Sequence, residues 1–251
     1  MDHFLTSDAW KELAGDYSLS VGEGAPPSVK SLALSELLKE ESCRAYLEWL
    51  KGHIGSPNLS VASSMLVKRM AHLLVAPILS AMTYYDRGIG AELEHCRLFH
   101  PDASAAGTAF PFMALSRAKV TAPEPGKREA WRTERVRQLF AERLTPLLKT
   151  IAAAGSVSTA ILWENVMARI VPVYGNDGDG DGDGELSRRV RDDFFYLTRG
   201  APGEPFGTRR NPLGSFAELD ENRRLTGRSR RLTCCLYYQM APEYCLKCPK
   251  P

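Results

Sequence analysis

The sequence predicts an α+β protein that is predominantly α-helical, with a small antiparallel sheet and a cysteine-rich C-terminal lobe. Three observations support this fold class. Apolar residues recur three and four positions apart over much of the chain, which is the period of a helix with one buried face. Short, mixed runs broken by proline and glycine indicate strands at residues 92–121. Four of the six cysteines lie close together at residues 234–248.

The first fifty residues predict an α-rich start. Helical spacing is clearest at residues 35–38 and 45–50, and Gly52 ends the second stretch. A longer helix is predicted from Ser63 to about Met82, because its apolar residues lie on one helical face. These residues are Met65, Leu66, Met70, Leu73, Leu74 and Ile78.

Residues 92–121 predict the small antiparallel sheet, because their apolar runs are too short and too interrupted for helices. Helical periodicity resumes at about residue 127 and continues to Ile151. Another helix is predicted at residues 158–171 and should carry Trp163.

Glycine and acidic residues alternate between Gly175 and Glu185. The alternating carboxylates resemble a calcium loop, but glycine fills every second place and the ordered ligand positions of an EF-hand are missing. We interpret this segment, at about 175–185, as a flexible linker. It divides the chain into a mainly helical body with the sheet, residues 1–185, and a C-terminal region, residues 186–251, which begins with a helix and continues irregularly.

The charge balance argues against nucleic acid as the main partner. Lys and Arg number 32 and Asp and Glu number 30, so the formal net charge is only +2. The first residues lack the basic and then apolar pattern of a secretory signal, which predicts a cytoplasmic protein. The apolar stretch at residues 72–82 is far shorter than the roughly 20 residues that cross a bilayer, so no membrane span is expected.

Cys234, Cys235, Cys245 and Cys248 are predicted to form one metal-binding unit. A [2Fe–2S] cluster needs four thiolates, two on each iron. The Cys-x2-Cys turn at the last two cysteines lets two sulfurs approach one metal. A zinc knuckle is less natural, because the chain must turn sharply between the adjacent cysteines for both to be ligands. The cluster is favoured, with structural zinc and a redox-active dithiol as alternatives.

The remaining cysteines, Cys43 and Cys96, stand apart from this motif. A chain of 251 residues with four cysteines at one end does not fit a secreted disulfide scaffold. We therefore interpret both as small buried apolar side chains.

Several motifs carry a resemblance to a known family. They read RRLTCCLYY at residues 230–238, YCLKC at 244–248, ASSMLVKR at 62–69 and WEN at 163–165. In these motifs the chain resembles the ferric-siderophore reductases of the FhuF-like type, which end in Cys-Cys-x10-Cys-x2-Cys and contain Trp-Gly-Asn. Here nine residues separate the cysteine pairs, and Glu164 replaces the glycine.

The resemblance implies a cytoplasmic oxidoreductase of iron acquisition, a ferric reductase that transfers one electron to an Fe(III)–siderophore and releases Fe(II). Its cofactor would be a [2Fe–2S] cluster on the four C-terminal cysteines. The siderophore class stays open. The sequence contains no Gly-x-Gly-x-x-Gly that opens a helix and no flavin signature, so we expect a separate electron donor such as a ferredoxin or a flavoprotein.

A basic stretch precedes the cysteines and supplies the candidate substrate-binding residues Arg209, Arg210, Arg230 and Arg231. Guanidinium groups there suit an anionic chelate or an acidic electron donor, although a solvated surface explains them equally well.

Two other classes of function compete with the reductase. One is a zinc-stabilised, non-enzymatic module that binds siderophores or regulates their use. The other is a sensor of iron or oxidants, for which a DNA-binding element would be expected and none is evident in the sequence.

Overall fold

The computed structural model describes residues 5–22, 28–102, 107–175, 184–226, 230–241, 243–245 and 247–250. Helices dominate these residues, which confirms the predicted fold class. The longer helices are α1 Ser7–Tyr17, α2 Glu40–His53, α3 Leu59–Tyr85, α4 at residues 128–155, α5 Thr159–Gly175 and α6 Glu185–Phe195.

The strands are short and form one main sheet and two ribbons. The main sheet has the order β1-β5-β4-β2, in which β4 is antiparallel to both neighbours and β1 is parallel to β5. The sheet is therefore mixed rather than purely antiparallel, while β4 to β6 lie where the sequence predicts strands. The strands are β1 Leu19–Val21, β2 Lys30–Ala33, β3 Gly88–Gly90, β4 Cys96–His100, β5 Phe112–Leu115, β6 Lys119–Thr121, β7 Glu218–Leu219 and β8 Leu225–Thr226.

Strands β1 and β2 lie in the part of the chain that the sequence predicts to be mainly helical. Leu19 of β1 pairs with Met113, and Lys30 of β2 pairs with His100. Strands of three or four residues show too little alternation to be recognised locally. Pairing with strands much later in the chain, not local propensity, makes these segments extended.

Helix α3 runs from Leu59 to Tyr85 and confirms the predicted buried helix. It contains a wider π-helical turn at Ala71–Val75, just before Pro77. Proline lacks an N–H and collides with the carbonyl four residues earlier, so a wider turn allows the helix to continue. The helix is long and apolar enough to cross a membrane, but 78% of its most apolar window is buried inside the protein, as in a core helix.

Helices α4 and α5 confirm the two helices predicted after residue 127. Helix α4 has the same feature as α3, a π-helical turn at Gln138–Leu144 shortly before a proline, Pro146. Helix α5 continues through Pro172 and ends at Gly175.

One apolar core joins the helices to the main sheet. Phe140 of α4, Phe194 of α6 and Phe206 are fully buried in it. The ring of Phe140 lies 5.1 Å from that of Phe206 and 6.1 Å from that of Trp163 on α5. The predicted Trp163 is therefore part of the core packing.

A buried carboxylate ties α6 to α3 and α4. Asp193 is fully buried and accepts hydrogen bonds from Arg128 at 2.8 Å, Arg132 at 3.0 Å and Thr83 at 2.9 Å. A buried charge persists when it is paired and hydrogen-bonded in this way.

Beyond α6 the described chain is irregular, as predicted, with short turns and the ribbon of β7 and β8. Most of the predicted linker, residues 176–183, lies outside the described residues. The division of the chain at residue 185 stays a prediction.

Candidate metal centre and adjoining groove

The four C-terminal cysteines lie on residues 230–241, 243–245 and 247–250, which we call the cysteine segment and which pack against α3. Cys235 is only 2% exposed and joins Val61 and Met65 in a small apolar cluster beside the main core. Cys248 is also buried, whereas Cys234 and Cys245 are partly exposed. Each half of the motif thus has one buried and one more accessible thiol.

The four thiols lie close enough to influence one another electrostatically. Cys235 and Cys248 both affect the Cys234 thiol, and the same two cysteines both affect the Cys245 thiol. Burial raises the pKa of Cys234 and of Cys245, and negative charge on the neighbouring cysteines raises it further. That the last two cysteines share one metal stays a prediction.

The number and type of sulfur donors are compatible with two kinds of metal centre. Among the described residues, no group of three or more His, Cys, Asp or Glu side chains is arranged to hold a metal ion. A zinc site needs four ligands around one point, whereas a [2Fe–2S] cluster needs two thiolates on each of two irons. Four neighbouring thiols supply the donors that a [2Fe–2S] cluster needs, and they also match the four ligands of a zinc site.

Sharp turns bring the adjacent cysteines into position. Leu236 has a φ of 67°, in the left-handed region that a side chain rarely adopts, and its N–H donates to the Cys234 sulfur at 3.4 Å. The N–H of Cys248 donates to the Cys245 carbonyl at 2.8 Å and closes the Cys-x2-Cys turn. These turns supply the change of direction that ligation by neighbouring cysteines requires.

Glu164 of α5 anchors the chain immediately before the cysteines. Its carboxylate accepts hydrogen bonds from the N–H of Leu232 at 2.7 Å, from the N–H of Thr233 at 2.6 Å and from the Thr233 hydroxyl. The Arg231 guanidinium lies 3.6 Å from the same carboxylate. Glu164 is only 4% exposed, so this charged group replaces its hydration with contacts to the cysteine segment.

A second set of buried hydrogen bonds joins α3, α5 and the cysteine segment. Ser64 donates to the Cys235 carbonyl at 2.7 Å. Asn165 donates to the Ser64 carbonyl at 2.9 Å and to its hydroxyl at 2.8 Å, and accepts from Arg231 at 2.8 Å. Ser64 and Asn165 are both fully buried. The motifs at 62–69, 163–165 and 230–235, which are far apart in the sequence, therefore meet at one place.

A groove of about 460 Å³ opens beside Cys245, and we call it the cysteine groove. Its walls come from α3, α5, the ribbon of β7 and β8 and the cysteine segment. A volume of this size is common for small-molecule sites. The basic side chains that line it are Lys68, Arg169, Arg230, Arg231 and Lys247. The apolar side chains that line it include Met167, Val171, Pro172, Phe216 and Leu225.

The four candidate arginines separate into two places. Arg230 and Arg231 line the cysteine groove. Arg209 and Arg210 are exposed on a turn that follows Phe206, whose carbonyl accepts from Thr145 of α4 at 2.7 Å. Neither of these two lines the cysteine groove.

Cys43 and Cys96 are buried in the main core, as predicted. Burial raises the pKa of Cys43 to about 11 and that of Cys96 to about 12. Both thiols are therefore neutral and unreactive at ordinary pH.

Several residues of this site are absent from the sequence-based candidates, among them Lys68, Lys247, Glu164 and Arg169. The family motif that this chain resembles has glycine at position 164. The replacement by Glu164 draws attention to the position, but it does not reveal the contact with the cysteine segment. Arg169 lies five residues later on α5 and lines the cysteine groove. A single arginine in an apolar helix is the one sequence signal that points to it.

The fold is similar to a solved structure of aerobactin synthetase from a hypervirulent pathotype of Klebsiella pneumoniae, with a TM-score of 0.52 and 11% sequence identity. The similarity covers 76% of this chain and 36% of that one, so this chain spans about a third of that protein's length. At this level of identity the likeness concerns the fold alone. No curated protein sequence matches the chain.

The sequence profile of the family described as ferric iron reductase FhuF-like transporter matches residues 64–224. This range begins at Ser64, includes Glu164 and Asn165, and ends before the four cysteines. The match covers more than half of the chain. The family indicates a role related to ferric iron and siderophores. This chain belongs to the ferric iron reductase FhuF-like family.

Proposed function

We propose that this chain is a cytoplasmic ferric-siderophore reductase, an oxidoreductase that transfers one electron to an Fe(III)–siderophore and releases Fe(II). The electron carrier is a [2Fe–2S] cluster held by Cys234, Cys235, Cys245 and Cys248. One observation carries the proposal: four neighbouring thiols lie on a segment that is hydrogen-bonded to Ser64 and Glu164, two residues within the range that the family profile matches.

The chain's own residues fit the task of holding such a group. The bound cluster would supply a one-electron redox couple. Glu164 fixes the two amides before the first cysteine, and Ser64 fixes the carbonyl of Cys235. The N–H of Leu236 points to the Cys234 sulfur, and hydrogen bonds of this kind stabilise negative charge on sulfur and adjust the reduction potential.

The position of Cys245 connects the proposed cofactor to a substrate. This thiol is partly exposed and lines the cysteine groove, so a chelate in the groove would lie beside one ligand of the cluster. Hard oxygen donors bind the small, highly charged Fe(III) far more strongly than Fe(II). One electron therefore suffices to weaken the complex and release the metal.

We infer that the electron comes from a separate ferredoxin or flavoprotein, because the sequence carries neither a dinucleotide-binding fingerprint nor a flavin signature. Purified protein should then fail to oxidise NAD(P)H by itself. Unaided NAD(P)H oxidation would contradict this part of the proposal.

The first test is spectroscopy of anaerobically purified protein, before and after dithionite, with iron, zinc and sulfide analysis. We expect a brown protein with about two irons and two sulfides per chain and a spin-half signal only after reduction. A colourless protein with about one zinc would reject the reductase and support a zinc-stabilised binding module.

The second test assigns the ligands and the activity. Changing any one of Cys234, Cys235, Cys245 or Cys248 to Ser should remove the cluster and abolish reduction of ferric chelates. Cys43→Ser and Cys96→Ser are the matched controls, and they should keep both the iron content and the activity. Loss of iron in a control variant would show that the ligands are misassigned.

A further inference from the structure

The two partly exposed thiols of the cysteine segment have different neighbours. Cys245 lines the cysteine groove, whereas Cys234 does not. Lys250 interacts electrostatically with Cys234 and with Tyr244, and none of these three residues lines the groove. The segment therefore offers a second approach to the proposed cluster, outside the groove in which we place the ferric chelate.

Two tyrosines and a lysine lie together at this second approach. We call Tyr238, Tyr244 and Lys250 the tyrosine face. The two rings stack with their centroids 5.7 Å apart. The Lys250 ammonium lies 4.4 Å from the centre of the Tyr238 ring and donates to its hydroxyl at 3.0 Å. These mutual contacts hold the three side chains in one patch.

The tyrosine face is exposed although it is largely aromatic. Tyr244 is 53% exposed, and the neighbouring Tyr237 is 37% exposed with the Lys68 ammonium 5.6 Å from its ring. Of the six large apolar side chains that are exposed among the described residues, three lie on the cysteine segment, the third being Leu232. Such a concentration indicates a surface that binds another protein, because tyrosine supplies a large contact area at low entropic cost.

The charge around the thiols indicates the charge of that partner. Residues 230–251 contain four basic residues and one acidic residue, Glu243, whereas the rest of the chain is almost neutral. Three of the basic residues are exposed, namely Arg230, Lys247 and Lys250. A positive patch of this kind attracts and orients a partner with an acidic surface.

We propose that the tyrosine face is the docking surface for the electron donor, and that this donor is a one-electron carrier protein with an acidic surface. The electron arrives on the Cys234 side and leaves to the chelate on the Cys245 side. The step moves one electron from the reduced carrier to the oxidised cluster, and no covalent bond forms or breaks. The inference rests on the proposed function, since it locates the partner of the same cluster.

The experiment uses the anaerobic holoprotein without any siderophore. The probe is reduced flavodoxin, an acidic one-electron carrier whose flavin absorbs differently from an iron–sulfur cluster. Stopped-flow absorption follows the electron transfer, and calorimetric titration with oxidised flavodoxin measures binding. Lys250→Glu should lower the association rate and the affinity about tenfold at low salt, because it reverses a charge in the docking surface. Lys250→Gln, which only removes the charge, should have a smaller effect.

Two further charge reversals test the location. Lys149 is exposed on α4, outside the tyrosine face, and Lys149→Glu makes the same change in net charge, so it should behave as the wild type does. Arg209→Glu tests whether the donor binds at the exposed turn that follows Phe206. A larger loss in Arg209→Glu or in Lys149→Glu than in Lys250→Glu would overturn the proposal.

Tyr244→Ser tests the aromatic part of the face. It removes an exposed ring without changing the charge, and it should weaken flavodoxin binding about tenfold even at high salt. The effect of Lys250→Glu should instead shrink as salt screens it. Tyr244→Phe keeps the ring and should bind nearly as the wild type does. Iron content and thermal unfolding verify each variant, and if Tyr244→Ser loses iron, the Lys250 variants decide. Wild-type affinity in iron-loaded Tyr244→Ser would contradict the proposal.

Lys250 could instead serve only to offset the negative charge of the cluster. In that case Lys250→Glu would lower the reduction potential and would also slow reduction by photoreduced deazariboflavin, a small uncharged donor that needs no docking surface. Docking at the tyrosine face requires slower transfer from flavodoxin alone. Equal slowing with both donors would reject the docking surface.

Other occupants of the tyrosine face give different results. Anionic phospholipid vesicles that bind the wild type but not Lys250→Glu would assign the face to a membrane surface. A wild-type dimer that Lys250→Glu dissociates would assign it to a second copy of the chain. Either result would contradict the inference, which predicts neither vesicle binding nor dimerisation through Lys250.

Failure of this inference is distinguishable from failure of the proposed function. If flavodoxin reduces the protein through the tyrosine face but the reduced protein does not reduce a ferric chelate, the docking surface stands and the reductase fails. If ferric chelates are reduced at the same flavodoxin-dependent rate by the wild type and by Lys250→Glu at low salt, the reductase stands and the docking surface fails.

Discussion

Phe140 in the helical body and Cys235 in the cysteine segment are almost equally inaccessible to solvent, but different interactions surround them. Phe140 packs against aromatic rings in one large apolar core. Cys235 belongs to a small cluster, and its segment is attached mainly through the hydrogen bonds of Glu164, Asn165 and Ser64. The body should therefore fold without the segment's contacts, whereas the segment depends on a few polar groups of the body.

The largest effect is expected in the body. Phe140→Ala should lower the free energy of unfolding by about 3–5 kcal/mol, because it leaves a cavity where two aromatic rings meet. Chemical denaturation followed by circular dichroism measures this loss. Leu186→Ala is the control, since Leu186 is 43% exposed and should change stability little. A loss below about 1 kcal/mol for Phe140→Ala would contradict the proposed core.

A smaller and local effect is expected at Glu164. Glu164→Gln removes the charge that holds Arg231 and the amides before the cysteines, at a local cost of about 3 kcal/mol. Hydrogen exchange should accelerate at residues 231–236 while the unfolding of the body changes little, and bound iron should decrease. Glu142→Gln, in a more exposed ion pair with Arg137, should change neither property. Unaltered exchange at 231–236 would show that Glu164 is not the anchor.

Ser64→Ala should have a still smaller effect. It removes the donor to the Cys235 carbonyl and leaves part of Asn165 unsatisfied, at a cost of about 1–2 kcal/mol. Labelling of Cys235 by a thiol reagent should become faster. Ser60→Ala is matched on the same helix, because Ser60 donates to the Gly155 carbonyl at 2.9 Å rather than to the cysteine segment. Equal labelling rates in both variants would contradict the role of Ser64.

A further loss of stability, confined to the body, is expected from acid. Burial lowers the pKa of His72 and of His100 to about 4. The unfolded chain takes up protons near the ordinary histidine value of about 6.5, so stability is complete above that pH and falls as the pH decreases towards 4. Denaturation at pH 7 and pH 5.5 measures the loss. His100→Gln should weaken this pH dependence, and an unchanged slope would show that His100 does not contribute.

Helices were predictable because their signal is local. Apolar spacing along α3, α4 and α5 identified them, since the residues that share a helix face are three or four positions apart. The sheet region was predictable from its interrupted runs. Strands β1 and β2 were not, because their extended conformation depends on partners far along the chain.

The candidate site was predictable only in part. The cysteine spacing identified the four candidate ligands, and the motifs at 62–69 and 163–165 marked the helices beneath them. The sequence did not show that Arg230 and Arg231 line a groove while Arg209 and Arg210 lie elsewhere.

By itself the sequence determined the helical class of the protein, its family and the residue types available for metal chemistry. Only the tertiary structure decided that Ser64 holds a carbonyl 171 residues later and that Glu164 holds an amide 69 residues later. Periodicity and spacing report on neighbours along the chain, whereas burial and charge pairing depend on neighbours in space.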